Sequence, residues 1–398
     1  AKVGHNSQER ACEPEPALGP RILFFSGGSA IRDISSCLAN STSRSIHVIT
    51  TFDSGGSSAA LRGSLNLPAV GDLRSRICAL ADIMRAGMPE ALKLWEHRLD
   101  RNAPIERLRE ILSSLSSGTH PYIEKMSTEL AGTMLPLLAE FEAAMTQGFD
   151  LRGACVGNLI LAGGCLRFGS IGESVKYCSK VFGVRGVISP VSEELAHLAV
   201  RYRSGRVSVG QHSFSSKSAE VARGEQEGGI EAVWLTSGLE RGAPLAVHAS
   251  EETLQHIRCA DLICYPPGSC YSSLVANLLP LGVGRAVSDN PCPKVFMPNP
   301  GADSELAGHD LRRQVDVLVN ALAADAPGIA PADILDAVLV DTSNGKYGEI
   351  PRGWLAGHGI AVLDLKFANS GAAGGSFIKV DPVRACDILL GIAQALGH

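Results

Sequence analysis

The sequence predicts an α/β fold with a mostly parallel sheet, for three reasons. Residues 46–52 (IHVITTF) are apolar and rich in β-branched side chains, which is typical of a strand buried within a parallel sheet. Residues 21–25 (RILFF), a glycine turn and a helical pattern precede this strand and complete a βαβ unit of about 30 residues. The order of strand, glycine-serine turn and helix occurs three times along the chain. Such turns lie at the sheet edge where α/β proteins bind ligands.

The first turn, Ser26-Gly27-Gly28-Ser29, separates the first predicted strand from a helix over residues 30–38. A turn at a helix N-terminus presents backbone N–H groups to phosphate oxygens. Ser26, Gly27, Gly28 and Ser29 are therefore predicted to bind a ligand phosphate. A tight turn without a ligand would use the same residues, and the complete G-x-G-x-x-G fingerprint is absent.

The second turn follows Asp53, the residue at the end of the strand over residues 46–52. Gly55, Gly56 and Ser57 are predicted to bind phosphate, because glycine turns and hydroxyl groups expose hydrogen-bond donors. A carboxylate beside phosphate needs a cation or a proton between them, so Asp53 is predicted to hold Mg²⁺ or a substrate hydroxyl. An Asp that caps a surface turn is the alternative.

The spacing of Asp53 also fits a dehydrogenase. Asp53 follows Gly27 by 26 residues, near the ~20-residue offset at which an acid binds the ribose of a nicotinamide dinucleotide. Against this alternative, a second glycine-serine turn follows Asp53 directly, and the two turns are expected to face one another.

Residues 68–76 (PAVGDLRSR) combine an acid with two arginines at the start of a helix. Asp72 is predicted either to cap this helix or to act in catalysis. Arg74 and Arg76 fall in the first turn, where the helix dipole disfavours cations, and this indicates a nearby anion; two solvated arginines at the surface are the alternative. Micromolar binding needs ~8 kcal/mol, of which a helix N-terminus supplies only ~0.3 to 2 kcal/mol, so Arg62 and Arg74 are the predicted diphosphate ligands.

The rest of the chain also alternates predicted helices with predicted strands. Residues 89–149 are polar and predicted to be helical, and Asn158 then begins an apolar helix, either as its N-cap or as a ligand contact. A buried strand over residues 261–265 leads to the third turn, in which Gly268 and Ser269 are predicted to bind the ligand. Further strands are predicted over residues 183–189, 197–202, 206–211, 231–236, 295–299, 337–340 and 360–367.

Composition excludes several classes of function. The chain has 398 residues and a formal net charge of −5 without a basic run, so no nucleic-acid partner is expected. No apolar run approaches the ~18 residues of a membrane span, so no membrane partner is expected. The eleven cysteines form no C-x-x-C pair, which favours free thiols and a cytoplasmic location. Residues 1–20 are polar and are expected to be a disordered leader. Homo-oligomerisation stays open.

Five segments together resemble the CofD and YvcK family, and most closely the CofD-like branch named for the GAK system. They are SGGSA at residues 26–30, FDSGGSSAALR at 52–62, PAVGDLR at 68–74, VGNLILAG at 156–163 and PPGSCYSSLVANLL at 266–279. The resemblance implies one Rossmann-like α/β domain over residues 21–398, with a helical insertion at residues 89–149. It extends over nearly the whole chain after residue 20.

The resemblance also implies two functions. CofD transfers a phospholactyl or phosphoenolpyruvyl group from a guanosine-diphosphate-activated donor to a deazaflavin, with magnesium, and releases GMP. YvcK relatives bind nucleotide sugars and regulate carbon metabolism and cell shape. Asp53 and Asp72 would be the catalytic residues of the first function, with Asp53 as the magnesium ligand. The chain departs from the family pattern at Ser54, where YvcK relatives usually have a second acid, and at Ala30, where a glycine is common.

Overall fold

The fold is built on a seven-stranded sheet. A computed structural model describes residues 19–52, 56–85, 87–210, 228–238, 242–301, 303–370 and 378–395. The sheet order is β10-β9-β8-β7-β1-β2-β3, and every pair of neighbours is parallel. The strands are β1 (Ile22–Ser26), β2 (Ile46–Ile49), β3 (Val187–Pro190), β7 (Leu262–Tyr265), β8 (Lys294–Phe296), β9 (Ala337–Val340) and β10 (Ala361–Asp364). The predicted α/β fold with a mostly parallel sheet is confirmed.

The chain fills this sheet from its centre outwards. From β1 it moves to β2 and then to β3 on one side, and it returns to the other side of β1 for β7, β8, β9 and β10. The order therefore reverses between β1 and β7. Crevices for ligands open at such switch points, beyond the carboxyl ends of the strands.

Helices cover both faces of the sheet. Alternate residues of β1 pack on opposite sides, with Ile22 and Phe24 in one buried cluster and Leu23 and Phe25 in another. The helices outside the β2–β3 connection are α1 (Arg32–Leu38), α10 (Glu251–Arg258), α11 (a π-helix Cys270–Val275 that continues as the α-helix Ala276–Leu278), α12 (Val283–Asp289), α13 (Leu311–Ala323), α14 (Pro331–Ile334), α15 (Arg352–Gly357) and α16 (Pro382–Ala395).

The connection from β2 to β3 is helical and carries its own buried cluster of apolar side chains. The expected insertion at residues 89–149 falls within it. Its helices are α2 (Gly56–Leu65), α3 (Gly71–Leu80), α4 (Met88–Glu96), α5 (Ile105–Ser116), α6 (Pro121–Glu124), α7 (Thr128–Ala144), α8 (Val156–Phe168) and α9 (Ile171–Val181).

Two small antiparallel sheets accompany the large one. The first has the order β5-β4-β6 and consists of β4 (His197–Tyr202), β5 (Val207–Val209) and β6 (Ile230–Thr236). The second pairs β11 (Ala368–Ser370) with β12 (Ile378–Val380). The strands predicted near residues 197–202, 206–211 and 231–236 are thus present, and they lie outside the parallel sheet.

The described helices include none that is long and apolar enough to cross a membrane.

Nine described cysteines are free thiols, whereas Cys259 is disulfide-bonded, so the expectation of free thiols throughout is wrong at this position. Of the expected leader, residues 1–18 lie outside the described residues.

Glycines in α8 allow neighbouring helices to approach closely. A Cβ atom at Gly163 would lie 1.7 Å from the backbone oxygen of Leu137 in α7, and one at Gly157 would lie 2.5 Å from the backbone oxygen of Trp95 in α4. The VGNLILAG segment is therefore shaped by helix packing at these two glycines.

This contact yields a stability prediction. Gly163→Ala should lower the free energy of unfolding by roughly 1–3 kcal/mol or more, because the methyl group overpacks the α7–α8 contact. Gly132→Ala is the matched control: Gly132 is exposed in α7, and a Cβ there meets no atom within 4 Å. It should raise stability by roughly 0.5–1 kcal/mol. Urea unfolding measures both, and equal effects would contradict this packing.

Candidate functional site

The candidate site lies at the switch point, where the first and third turns meet. β1 ends at Ser26, and the adjacent β7 ends at Tyr265. A Cβ atom at Gly268, in the third turn, would lie 3.2 Å from the Cβ of Ala30, and Gly268 itself has φ +152°, a conformation that favours glycine. The first turn thus faces the third turn, and the expectation that it also faces the second stays a prediction, because residues 53–55 lie outside the described residues.

Two side chains approach the first turn so closely that only glycine fits. A Cβ atom at Gly28 would lie 2.4 Å from Oδ1 of Asp72, and a Cβ atom at Gly27 would lie 2.4 Å from Oγ of Ser273. Asp72 belongs to α3 and Ser273 to α11. The turn is therefore enclosed between the helix of the β2–β3 connection and the helix that follows β7.

The carbonyl oxygens of this turn accept hydrogen bonds, whereas its N–H groups have no acceptor among the described residues. The carbonyl oxygens of Gly27 and Gly28 accept hydrogen bonds from Arg76 Nη2 (2.8 Å) and Ser75 Oγ (3.2 Å). The N–H groups of Gly27, Gly28 and Ser29 donate no hydrogen bond to any described residue. Gly27 and Gly28 are buried, and buried N–H groups are rarely left without an acceptor. The turn is consequently suited to bind the oxygens of a ligand.

Arg76 is fully buried beneath the turn and holds it in place. Its guanidinium also donates to the carbonyl oxygen of Ile31 (3.3 Å) and to the hydroxyl of Ser35. Burial lowers the pKa of Arg76 to about 10, and the nearby carboxylate of Asp72 opposes this shift. The anion that the sequence indicated beside Arg76 is thus a side chain of the protein.

The start of α3 differs from the prediction. Val70 occupies the N-cap position, and Asp72 lies in the first turn of the helix, so the prediction that Asp72 caps α3 is wrong. Arg74 is half-buried, and among the described residues its buried Nε has no hydrogen-bond partner and its guanidinium forms no ion pair. Arg74 thus has no carboxylate partner among the described residues, and its charge acts on the nearby thiol of Cys78.

At the third turn, side chains of the protein already occupy the helix N-terminus. Asp303 Oδ2 accepts from the N–H of Cys270 (2.9 Å), and Glu305 Oε2 accepts from the N–H groups of Tyr271 (2.7 Å) and Ser272 (2.9 Å). These donors are therefore unavailable to a phosphate. Ser269 directly precedes this helix and is only half-buried.

An amide side chain connects this turn to the two acids. Asn299 accepts from the N–H of Gly268 (2.9 Å) and donates to its carbonyl oxygen (2.6 Å), and it also donates to Asp303 (3.3 Å). Burial raises the pKa of Asp303, while burial and the neighbouring Asp303 together raise the pKa of Glu305 to about 7. The two carboxyl groups titrate as a pair.

The second turn is only partly described. Asp53 and Gly55 lie outside the described residues, and Gly56 and Ser57 form the first residues of α2. Arg62, in the same helix, donates to the backbone oxygens of Thr51 (2.9 Å) and Ala196. Arg62 therefore ties the end of β2 to the chain that follows β3.

Asn158 is buried in the first turn of α8, whose N-cap is Cys155. The prediction that Asn158 caps this helix is wrong, and its role as a ligand contact stays a prediction.

Magnesium is compatible with one carboxylate at the crevice. Within the described ranges, no group of three or more His, Cys, Asp or Glu side chains could hold a metal ion. Magnesium is usually held by one or two carboxylates together with substrate phosphates and waters. Asp72, beside the turn with unbonded N–H groups, meets that requirement.

Five site residues were not anticipated from the sequence: Ser273, Asn277, Asn299, Asp303 and Glu305. The side chain of Asn277 donates to the backbone oxygens of Ser26 (3.1 Å) and Ser273 (2.7 Å). The sequence offered a signal for this pair, since Ser273 and Asn277 are polar residues spaced by four within an apolar helix. Asp303 and Glu305 follow β8, the neighbour of β7, at the same edge of the sheet.

These features define a doubly wound α/β protein with a candidate ligand site at its switch point. The chain belongs to the CofD family, since the family model described as 2-phospho-L-lactate transferase CofD matches residues 22–370. This confirms the resemblance. Membership of the family suggests a phosphotransferase-like or nucleotide-sugar-binding role.

Curated relatives are named gluconeogenesis factors. The protein of Bacillus subtilis is 28% identical over 280 residues, 70% of this chain and 68% of the relative. A putative gluconeogenesis factor of Aquifex aeolicus is 24% identical over 394 residues, 94% of this chain and 96% of the relative. The crystal structure of a UPF0052 family member from Bacillus halodurans has a TM-score of 0.67 at 21% identity and covers 94% of this chain and 99% of its own. This likeness supports the fold.

The buried pair of acids gives a pH prediction. The pKa of Glu305 lies above its ordinary value of 4.5 in the folded protein, so the folded state binds more protons between about pH 4.5 and 7. The contribution of Glu305 to stability is therefore present at acid pH and lost as the pH rises through 7. Relative to Glu305→Gln, the wild-type unfolding free energy should fall over this range by roughly 3 kcal/mol at most.

Urea unfolding at a series of pH values measures this difference. Glu106→Gln, which removes an exposed carboxylate from α5, is the control and should keep the wild-type slope. Parallel pH profiles for the wild type and Glu305→Gln would show that Glu305 titrates normally.

Proposed function

We propose that the protein binds a nucleoside-diphosphate-linked donor in the switch-point crevice and transfers a phosphoester group from it to an acceptor hydroxyl, with release of a nucleoside monophosphate. One observation carries the proposal: the buried N–H groups of Gly27 and Gly28 have no acceptor among the described residues. A diphosphate supplies oxygen acceptors of the required charge. Family membership is the support for a phospholactyl or related group and a guanosine donor.

Asp72 gives the crevice a group that can take part in this chemistry. A carboxylate against a phosphate-binding turn repels the phosphate unless a cation lies between them. Asp72, together with Asp53, would therefore hold Mg²⁺ on the diphosphate, and the metal would neutralise charge that develops during phosphoryl transfer. Arg74 would add a second cation at the diphosphate.

The chain's own residues would supply orientation. Arg76 fixes the carbonyl side of the Gly27-Gly28 turn, and Asn277 joins Ser26 to α11 across the switch point. A rigid turn of this kind holds the donor without reorganisation, and positioning together with charge neutralisation supplies most of the catalysis in phosphoryl transfer.

A nucleotide-sugar-binding regulatory role without catalysis is the second candidate. The curated relatives are named for gluconeogenesis, and Ser54 follows Asp53 where a second acid would strengthen metal binding. If transfer needs two carboxylates on the metal, this chain would bind the nucleotide and leave it intact.

A nucleotide screen by thermal shift, followed by a product assay, separates the candidates. A ligand at 100 times its Kd should stabilise the folded protein by ~2.7 kcal/mol. Stabilisation by GDP-linked ligands, with GMP released when a deazaflavin or another hydroxyl acceptor is added, is the expected result. Binding of a UDP-sugar without turnover would favour the regulatory role, and stabilisation by NAD alone would reject both in favour of a dehydrogenase.

Two substitutions test the crevice itself. Arg74→Gln should weaken nucleotide binding by about tenfold or more, since a charged hydrogen bond is worth roughly 1.5–3 kcal/mol. Asp72→Asn should remove the magnesium dependence of binding. Arg107→Gln, which removes an exposed charge from α5, is the control and should leave calorimetric titrations unchanged. Binding by Asp72→Asn that still depends on magnesium would exclude Asp72 from the metal site.

A further inference from the structure

A cavity lies between β6 of the three-stranded antiparallel sheet and α13. Its volume is about 230 Å³, and its walls come from β6, α11 and α13. Its lining includes Glu231, Val233, Tyr271, Arg313, Val317 and Asn320. Most of this lining is apolar, and a space of this size is too small for a nucleotide but admits a small organic molecule.

Arg313 is the cationic residue of this cavity. Its Nη2 donates to the backbone oxygen of Glu231 (3.3 Å), while its buried Nε has no hydrogen-bond partner among the described residues. The guanidinium of Arg313 also forms no ion pair with any described residue. A buried charged donor without an acceptor is destabilising, and an anion in the cavity would relieve this cost.

The polar side chains of Glu231 and Tyr271, which also line the cavity, already have partners. The carboxylate of Glu231 is exposed and pairs with Arg201 (3.2 Å). His309 Nδ1 faces the backbone oxygen of Ala307 (3.1 Å), so Nδ1 carries the proton and Nε2 accepts from the hydroxyl of Tyr271 (2.8 Å). Burial lowers the pKa of His309, and Arg313 lowers it further. Tyr271 therefore offers the cavity its ring, and Arg313 is left as the charged donor for a ligand.

The shape and charge of the cavity favour a carboxylate over a phosphate. A phosphate brings about two negative charges and three strong acceptors, whereas this cavity supplies one guanidinium and lies beside Glu231. Val233 and Val317 provide apolar walls, and Asn320 is exposed at the rim. We propose that this cavity is a second binding site, for a small monocarboxylate with a short apolar or aromatic body, and that Arg313 recognises its carboxylate.

Calorimetric titration with benzoate tests the proposal on the full-length chain, with benzyl alcohol as the neutral analogue. Benzoate should bind in a 1:1 ratio, and benzyl alcohol should bind at least tenfold more weakly. Arg313→Gln should weaken benzoate binding at least tenfold. Arg312→Gln is the matched control, because Arg312 is exposed and its guanidinium lies over the ring of Trp354 at 4.9 Å, and it should bind benzoate as the wild type does.

A second variant keeps the test decisive if Arg313→Gln fails to fold. Asn320→Asp places a negative charge at the rim from an exposed position and should weaken benzoate binding at least tenfold without unfolding the protein. Absence of benzoate binding to the wild type, equal binding of benzyl alcohol, or benzoate binding that survives both Arg313→Gln and Asn320→Asp would overturn the proposal.

Discussion

The buried guanidinium of Arg76 is the interaction on which the crevice depends. A charge inside a protein is tolerated only when hydrogen bonds and an opposite charge replace its hydration. Arg76 obtains these from the carbonyl oxygens of Gly27 and Ile31, from two serine hydroxyls and from the nearby Asp72. The carbonyl side of the first turn is thereby fixed to α3, while its N–H groups make no hydrogen bond to the described chain.

The order of the strands in the sheet determines where the first turn lies. Because β1 lies between β2 and β7, the turns that follow all three parallel strands lie at one edge of the sheet. Asp72 and Ser273 approach so closely that a side chain at Gly28 or Gly27 would have to displace them. α1 has only seven residues, so the proposed binding of a diphosphate depends on the N–H groups of the turn more than on the dipole of that helix.

Local patterns predicted much of this arrangement, and the remainder depends on contacts between distant residues. The strands β1, β2 and β7 and their glycine turns could be read from apolar runs that end in glycine and serine. The order of the strands in the sheet could not be predicted from local patterns, and therefore the proximity of the first turn to the third turn was missed. Asp72 was expected to cap α3 because Asp is common at N-cap positions, but the N-cap is Val70, two residues earlier. The local sequence indicated that Arg76 would lie beside a bound anion. It could not show that Arg76 is buried, because that burial depends on contacts with α1, some 40 residues earlier in the chain. Asp303 and Glu305 were missed since they cap a helix that precedes them by more than 30 residues.

The most direct test of this account is a crystal structure of the protein with magnesium and the nucleoside diphosphate that stabilises it most. We expect the diphosphate oxygens to lie within hydrogen-bonding distance of the N–H groups of Gly27, Gly28 or Ser29, with the magnesium ion between the diphosphate and the carboxylate of Asp72. A diphosphate bound elsewhere, with those N–H groups still lacking an acceptor, would contradict it.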